Sequence, residues 1–267
     1  KYKKENKYNI KLINGKKNIG LGASRNKAVE KARGTYILYL DADDTLYGDD
    51  TLEKINKVLE KNNPDIAYFG VKYIGGSNKT YIPNSENSTK KARILCDMHF
   101  AVSSKCWKRE FLQKNQITFI KDMYYEDMVY SLKATILAKT IAYGEFPIYN
   151  YVRNGENSIT RKPNLRKCTD MYKMLYHVLE LYEITPEEYK PYLLSFIKQE
   201  TQSIPHKIGI ILGSYKKGIS NPIFPKRQYT FNEKDEDVCF WFLKCRVFSY
   251  IVWKEINIME LVELEYD

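Results

Sequence analysis

Two aspartates separated by one residue follow a short apolar segment of the chain. Residues 36–40 are continuously apolar and rich in strand-favouring side chains, and the segment stops at Asp41, Asp43 and Asp44. Ligands of open α/β sheets bind at the carboxyl ends of the strands. Carboxylates with this spacing can share a hard divalent cation, Mg²⁺ or Mn²⁺, that also binds substrate phosphates. The turn therefore predicts a metal–phosphate site with Asp41 and Asp43 as ligands.

Two other interpretations of this turn stay open at the level of sequence. Aspartate is a common N-cap, so Asp44 or Asp49 could serve only to begin the next helix. The run Tyr-Leu-Asp-Ala-Asp-Asp-Thr-Leu also resembles the first motif of haloacid-dehalogenase-like phosphatases, in which the first Asp is a nucleophile. That family usually opens its domain with this strand, whereas here another strand, a loop and a helix precede it. The phosphatase interpretation is therefore the weaker alternative.

The elements that must position the turn predict an open, largely parallel α/β sheet. Apolar patterning indicates strands at 9–13, 36–40 and 66–73 and helices at 23–32 and 50–62. Alternation of strands and helices is typical of such sheets. We expect Gly34 to cap the first helix at its carboxyl end.

The second half of the chain changes from mixed to mostly helical patterning. We expect a loop or hairpin at 75–90, a short helix near 109–115, a helix at 128–138, strands at 140–143 and 148–152, and helices at about 165–182 and 186–202. A boundary near residue 160 would divide the chain into an α/β domain, 1–160, and a helical region, 161–267. Residues 240–254 are aromatic with interspersed basic side chains, which favours a core helix over a segment in a membrane interface.

A string of motifs in the first part of the chain resembles family 2 glycosyltransferases. Residues 18–26 are similar to that family's Asn-x-Gly loop and Ala-Arg-Asn helix start, residues 32–37 to its Ala-x-Gly-x-Tyr-Ile, and residues 40–44 to its Asp-x-Asp turn. Residues 104–112, 125–128 and 148–160 are similar to its later segments. The resemblance implies a Rossmann-like, A-type nucleotide-diphospho-sugar transferase sheet. It also implies that the sheet is N-terminally incomplete, because family members normally begin with a further strand, helix and strand.

The resemblance implies an inverting transfer of a hexose or N-acetylhexosamine from a nucleoside-diphosphate sugar. On family grounds the nucleotide would be UDP and the acceptor a glycan or a lipid-linked molecule. Asp127 would remove the proton of the acceptor hydroxyl, with Glu126 supporting it. Asp41 would contact the nucleotide and Asp43 would ligate the metal. A non-catalytic, glycosyltransferase-like protein is the alternative.

Nucleotide-sugar binding is expected of several further residues. A glycine loop that leads into a helix offers backbone N–H groups to an anion, and an arginine at that helix start can fork onto a phosphate. The acidic pair of Glu126 and Asp127 also suits a helix N-terminus without any catalysis. The residues predicted to bind the nucleotide sugar are Gly22, Arg25, Asn26, Asp41, Arg153 and Ser158.

The amino-acid composition limits the classes of binding partner and the cellular compartment that we expect for this protein. The net charge is +10 with dispersed Lys and Arg, which suits a nucleoside diphosphate or an anionic membrane face. We expect no nucleic-acid partner, because no recognition module is present. The five cysteines are dispersed without metal-like spacing, which indicates reduced thiols in a cytoplasmic protein. No apolar run is long enough to span a membrane, so only peripheral contact with the inner face is expected.

Overall fold

The computed structural model describes residues 10–15, 17–75, 78–83, 100–152, 165–197 and 200. Within these residues six strands form one sheet: β1 (Tyr36–Leu38), β2 (Thr45–Leu46), β3 (Ile66–Ile74), β4 (Thr80–Tyr81), β5 (Lys105–Lys108) and β6 (Ile141–Val152). The helices are α1 (Leu21–Lys31), α2 (Thr51–Asn62), α3 (Arg109–Lys114), α4 (Glu126–Leu137) and α5 (Leu165–Ile184). Residues 190–197 are also helical.

The sheet is mixed, which corrects the expectation of a largely parallel one. Its strand order is β1-β5-β3-β6-β2, and β4 pairs with β3. Only β3 and β6 form a parallel pair, whereas β5 runs antiparallel to both β1 and β3. Sequence patterning indicates no strand at β5, because four residues with lysine at both ends carry too little periodicity. β1 and β3 still point in the same direction, as expected, but β5 lies between them.

Strand β3 divides the hydrophobic core into two layers. Ile66 and Tyr68 belong to a cluster on one face of the sheet, and Ala67, Phe69 and Val71 belong to a cluster on the other. This is the alternation of side chains along any strand. Helices α4 and α5 cover the first face, and α2 covers the second. Each large side chain that is fully buried in these layers stabilises the fold by roughly 1.5–3 kcal/mol.

The long strand β6 joins two segments that patterning indicates as separate strands. Its pairing with β3 shifts register around Gly70, which lies opposite Pro147. A Cβ atom at Gly70 would lie 2.6 Å from the carbonyl oxygen of Tyr81, so the close approach of β4 requires glycine there. The irregularity interrupts the alternation in the middle of the strand.

Other boundaries differ from expectation near the start of the chain. Residues 10–13 form no strand. Helix α1 begins at Leu21 and ends at Lys31, where Ala32 continues in extended conformation. Gly34 therefore does not cap the helix, because the left-handed turn that favours glycine is not formed.

Helix α5 packs into the same core as the α/β elements. Its residues Met174 and Val178 share a buried cluster with Leu132 of α4 and Ile66 of β3. The division of the chain near residue 160 stays a prediction. The aromatic segment 240–254 lies outside the described residues.

Candidate functional site

The acidic turn after β1 is fixed by strand β6 rather than by the helix that follows it. Asp44 is buried, and its Oδ2 accepts a hydrogen bond from the Tyr149 hydroxyl at 2.5 Å while its Oδ1 accepts one from the Val152 N–H at 2.7 Å. The Tyr149 hydroxyl also accepts a hydrogen bond from the Asp41 N–H at 3.3 Å. Burial raises the pKa of Asp44, and these two hydrogen bonds to its carboxyl oppose the shift. Asp44 is thus the anchor of the turn.

The N-cap interpretation of Asp44 and Asp49 is wrong. Helix α2 begins after Asp50, which is its N-cap residue and makes no side-chain capping hydrogen bond. Asp44 is turned away from the helix because Tyr149 and Val152 occupy both of its carboxyl oxygens. Only Asp44 is anchored in this way, so the carboxylates of Asp41 and Asp43 are available for other contacts.

Asp41 and Asp43 have different environments. Asp43 is exposed, and no described residue makes a hydrogen bond or an ion pair with its carboxylate. The Asp41 side chain is 35% exposed, and its Oδ1 lies 2.9 Å from Nη2 of Arg25. Among the described residues no group of three or more His, Cys, Asp or Glu side chains is placed to hold a metal ion. The turn offers two hard oxygen ligands, which fits a Mg²⁺ or Mn²⁺ ion whose other ligands are substrate phosphates and water.

Arg25 joins the acidic turn to the acidic pair that lies about a hundred residues later. Its Nη2 donates to Asp41, and its Nη1 donates to Oε1 of Glu126 at 3.1 Å. The side chains of Arg25 and Glu126 are only 11% and 9% exposed. The guanidinium also lies 5.8 Å from the ring centre of Tyr39 and 5.4 Å from that of Phe119. Charged hydrogen bonds shielded from water in this way are stronger than exposed ones.

Two residues expected to bind the nucleotide sugar, Gly22 and Asn26, also pack helix α1 against the segment 117–120. The Asn26 amide donates to the Phe119 carbonyl and accepts from the Phe119 N–H, both at 2.8 Å. A Cβ atom at Gly22 would lie 2.7 Å from the Ile120 carbonyl oxygen. These contacts set the position of Arg25, which lies between them in sequence. Direct contact of Gly22 or Asn26 with a nucleotide sugar stays a prediction.

The acidic pair opens helix α4 after a strained turn. Tyr125 and Asp122 both have positive φ, 65° and 54°, which non-glycine residues rarely adopt. Helix α5 stabilises this turn. Its fully buried Asp170 accepts a hydrogen bond from the Tyr124 N–H at 3.0 Å, and its Arg166 lies 2.7 Å from the Asp122 carboxylate. Sequence reasoning missed these two α5 residues, because their i, i+4 spacing is ordinary on any helix surface.

The two carboxyl groups of the acidic pair have raised pKa values. Burial, and then the charge of Asp127, raise the pKa of Glu126 to about 7, although its own backbone N–H and Arg25 lower it. Burial also raises the pKa of Asp127, while the charges of Arg25 and Lys105 oppose the shift. Asp127 remains partly exposed, whereas Glu126 is buried. A partly exposed carboxylate with a raised pKa is a stronger base than an ordinary aspartate, which suits it to accept a proton.

The remaining predictions concern residues away from these carboxylates. Arg153 and Ser158, which were expected to bind the nucleotide sugar, lie outside the described residues. Of the cysteines, Cys106 is buried, and burial raises its pKa to about 12, so it is not a reactive thiol. No helix in the described part of the chain has the length and apolar character needed to cross a membrane.

Comparison with known proteins identifies the family. Residues 1–120 match the family model described as Glycosyl transferase family 2. The resemblance of this part of the chain to glycosyl transferase family 2 is therefore confirmed. This match includes the acidic turn and Arg25 and ends just before the acidic pair. Because the match includes the acidic turn, it favours the glycosyltransferase interpretation of the turn. The phosphatase interpretation is wrong.

Individual relatives agree with this family match. The chain is 50% identical over 110 residues to an uncharacterised glycosyltransferase of Methanocaldococcus jannaschii, covering 39% of this chain and 38% of that protein. It is 30% identical over 142 residues to the poly(ribitol-phosphate) beta-glucosyltransferase of Bacillus spizizenii, covering 52% of this chain and 22% of that protein. The chain therefore spans less than half the length of each of these relatives.

A solved structure agrees with the fold. Staphylococcus aureus TarS 1–349, in complex with UDP-GlcNAc, superimposes with a TM-score of 0.55 over 87% of this chain and 83% of that chain. The sequence identity is 17%, so the likeness concerns the fold alone. The fold of this chain is thus the A-type α/β fold expected from the motif string.

Proposed function

We propose that this chain transfers a hexose or N-acetylhexosamine from a nucleoside-diphosphate sugar to an acceptor hydroxyl, with inversion at the anomeric carbon. The observation that carries the proposal is the fork of Arg25. One guanidinium holds the first aspartate of the Asp-x-Asp turn and the first carboxylate of the acidic pair. It thereby joins the turn that we propose to bind the donor to the start of helix α4, where the proposed proton acceptor Asp127 follows Glu126.

The donor side of the proposed site is the turn from Asp41 to Asp43. Asp43 faces solvent without a partner among the described residues, and one oxygen of Asp41 is held by Arg25. We propose that both carboxylates hold Mg²⁺ or Mn²⁺ together with the donor diphosphate. The ion would neutralise charge on the departing diphosphate. The fork also leaves Arg25 next to this turn, where it can stabilise an anionic leaving group.

The acceptor side of the proposed site is Asp127. An acceptor hydroxyl is a poor nucleophile until a base takes its proton. In the proposed step, Asp127 takes that proton as the hydroxyl oxygen bonds to the anomeric carbon, and the bond from that carbon to the diphosphate breaks with its electron pair leaving on the diphosphate. Attack from the face opposite the leaving group inverts the configuration. Glu126, tied to Arg25, fixes the start of helix α4.

UDP is the nucleotide that we propose for the donor. The fold is similar to that of TarS, whose structure holds UDP-GlcNAc. A glycan or a lipid-linked molecule is proposed as the acceptor, and one relative is a poly(ribitol-phosphate) beta-glucosyltransferase. The basic net charge of +10 would favour anionic donors and polyanionic acceptors alike.

Calorimetric titration of UDP tests the donor site. We expect binding in Mn²⁺ that weakens at least about tenfold in EDTA and in Asp43→Asn, because one metal ligand is lost, a difference of about 1.4 kcal/mol. Asp49→Asn is the matched control, since Asp49 is also an exposed aspartate and lies in the next loop, between β2 and α2. Equal affinity in all four samples would contradict the metal–diphosphate assignment.

A second arm tests the transfer itself. Release of UDP from UDP-sugars in the presence of candidate acceptors is measured for the wild type and for Asp127→Asn. We expect the variant to keep UDP affinity and lose transfer, because only the proton acceptor is removed. A wild type that binds UDP–Mn²⁺ yet turns over no donor with any acceptor would favour the non-catalytic alternative.

A further inference from the structure

A lysine is buried beneath the acidic pair. Lys105 begins strand β5 and is 0% exposed. Its ammonium donates to the Ala101 carbonyl at 2.6 Å and lies 5.2 Å from the ring centre of Tyr68 and 5.9 Å from that of Trp107. Burial of an ammonium group is costly, so buried lysines are normally paired with an opposite charge.

One face of helix α4 packs against the residues that surround this lysine. Ser131 donates from its hydroxyl to the Phe100 carbonyl at 2.8 Å, and Thr135 shares a 2.6 Å hydrogen bond with the Tyr68 hydroxyl. Asp127, Ser131 and Thr135 are spaced by four residues and therefore lie on one helix face. The segment that holds Lys105 thus packs against the face that begins with Asp127.

The pairing in the sheet brings Lys105 to the same place. Lys105 lies opposite Tyr68 in the register of β3 and β5. Tyr68 is the residue that contacts the third position of the α4 face, so the lysine and the helix meet across one tyrosine. Its ammonium reaches back toward residue 101, next to the carbonyl that accepts from Ser131. The lysine therefore lies on the interior side of the helix face that begins with Asp127.

The charges of the two groups are coupled. Burial lowers the pKa of Lys105 to about 7, and the charge of Asp127 opposes that shift. In return, the charges of Arg25 and Lys105 oppose the burial that raises the pKa of Asp127. The charged groups facing Asp127 are thus Arg25 of α1, Lys105 of β5 and Glu126 beside it on α4.

We propose that Lys105 is a positioning residue for the transfer reaction, whose charge favours the ionised form of Asp127 from the buried side. The proposal rests on the proposed role of Asp127 as the base. A carboxylate enclosed by protein tends to keep its proton, and a protonated Asp127 cannot accept another. Below its pKa of about 7, Lys105 adds a positive charge on the buried side, whereas Arg25 is already engaged by two other carboxylates.

Titration of Asp127 by NMR of side-chain carboxyl carbons tests the coupling without requiring activity. The signal is assigned by its loss in Asp127→Asn. We expect Lys105→Met to raise the pKa of Asp127 by about one unit or more, a tenfold change in its proton affinity. Lys108→Met, which removes a lysine from the other end of β5 that contacts Asn63, should leave it unchanged. An Asp127 pKa that does not move in Lys105→Met would overturn the proposal.

The reciprocal titration covers the case in which Lys105→Met does not fold. Linkage requires that Asp127→Asn lower the pKa of Lys105 by as much as Lys105→Met raises that of Asp127. The Lys105 Cε signal in the wild type and in Asp127→Asn measures this shift. Equal Lys105 pKa values in the two proteins would refute the coupling.

Kinetics then separate this proposal from the proposed function. In Lys105→Met the acid limb of kcat/KM should move to higher pH by the same amount as the Asp127 pKa. A packing defect would instead lower kcat/KM equally at every pH. If the NMR coupling is present but Asp127→Asn transfers sugar normally, the coupling stands and the assignment of Asp127 as the base falls, together with the role of Lys105 in transfer.

Discussion

Replacement of Arg25 by methionine tests whether the fork holds the site together. Methionine keeps much of the length of the side chain but removes the charge that binds Asp41 and Glu126. Loss of one partner from a buried ion pair typically costs about 3–5 kcal/mol. Asp41 is 35% exposed and water can replace the arginine there, so most of the cost comes from Glu126. Because Glu126 has a pKa of about 7 and can take up a proton once its partner is lost, we expect the loss in the free energy of unfolding at pH 8 to stay below that range, at about 1–2 kcal/mol.

The pH dependence of this loss is the sharper part of the prediction. The pKa of Glu126 is about 7 in the folded protein, against an ordinary value of 4.5. The folded state therefore holds this proton more tightly than the unfolded state does. Stability is highest below the ordinary pKa and falls as pH rises through 7. In Arg25→Met the pKa rises further, so the loss of stability should be smaller at pH 5, where Glu126 is neutral, and larger at pH 8.

Urea unfolding followed by tryptophan fluorescence measures both proteins at pH 5 and pH 8. Trp107 is fully buried and reports on the same cluster as helix α4. The control is the same substitution in a Glu126→Gln background, where no carboxylate remains to ionise. The pH-dependent part of the loss should vanish there. An equal loss at both pH values, or a pH-dependent loss that survives in Glu126→Gln, would refute the reasoning.

Two further predictions concern the supports of the site. Gly22→Ala should lower the free energy of unfolding by roughly 1–3 kcal/mol, because the new methyl group would lie 2.7 Å from a backbone oxygen. Gly48→Ala is the control and should be tolerated, because its methyl group would meet nothing closer than 3.6 Å. Urea unfolding compares the two variants with the wild type. Asp170→Asn should destabilise the turn before the acidic pair, since it removes the buried carboxylate charge that Arg166 and Lys173 pair with, whereas Glu180→Gln on the surface of the same helix should not. Faster hydrogen exchange at the Tyr124 amide in Asp170→Asn alone would confirm this, and unchanged exchange would contradict it.

The sequence by itself determined most of the elements and the identity of the chemical groups. The helix at 51–62 and the strand at 66–74 follow from apolar periodicity, which is a local property of the chain. The Asp-x-Asp turn and the acidic pair are visible because several ionisable residues adjacent in sequence are uncommon at the end of a buried strand or the start of a helix. The string of motifs was specific enough to indicate the family, which the family model confirms.

Tertiary structure decided which of these groups meet. Arg25 was expected to contact a phosphate, which stays a prediction, and the structure adds its contacts with Asp41 and Glu126. Asp44 was interpreted as a possible N-cap of a helix. Its carboxyl group instead accepts a hydrogen bond from the hydroxyl of Tyr149, which lies in strand β6, far away in sequence. Neither partner is encoded by local spacing, because each depends on the insertion of β5 and on the path of β6.

The buried lysine shows the physical reason most clearly. In the sequence Lys105 is one of many lysines, and nothing near it distinguishes it from those on the surface. Its burial follows from the pairing of β5 between β1 and β3 and from the packing of α4 above it. Desolvation and charge coupling act through space, so they are set only when distant segments are packed together. Local patterns therefore determine which elements form, and packing determines the electrostatics of the site.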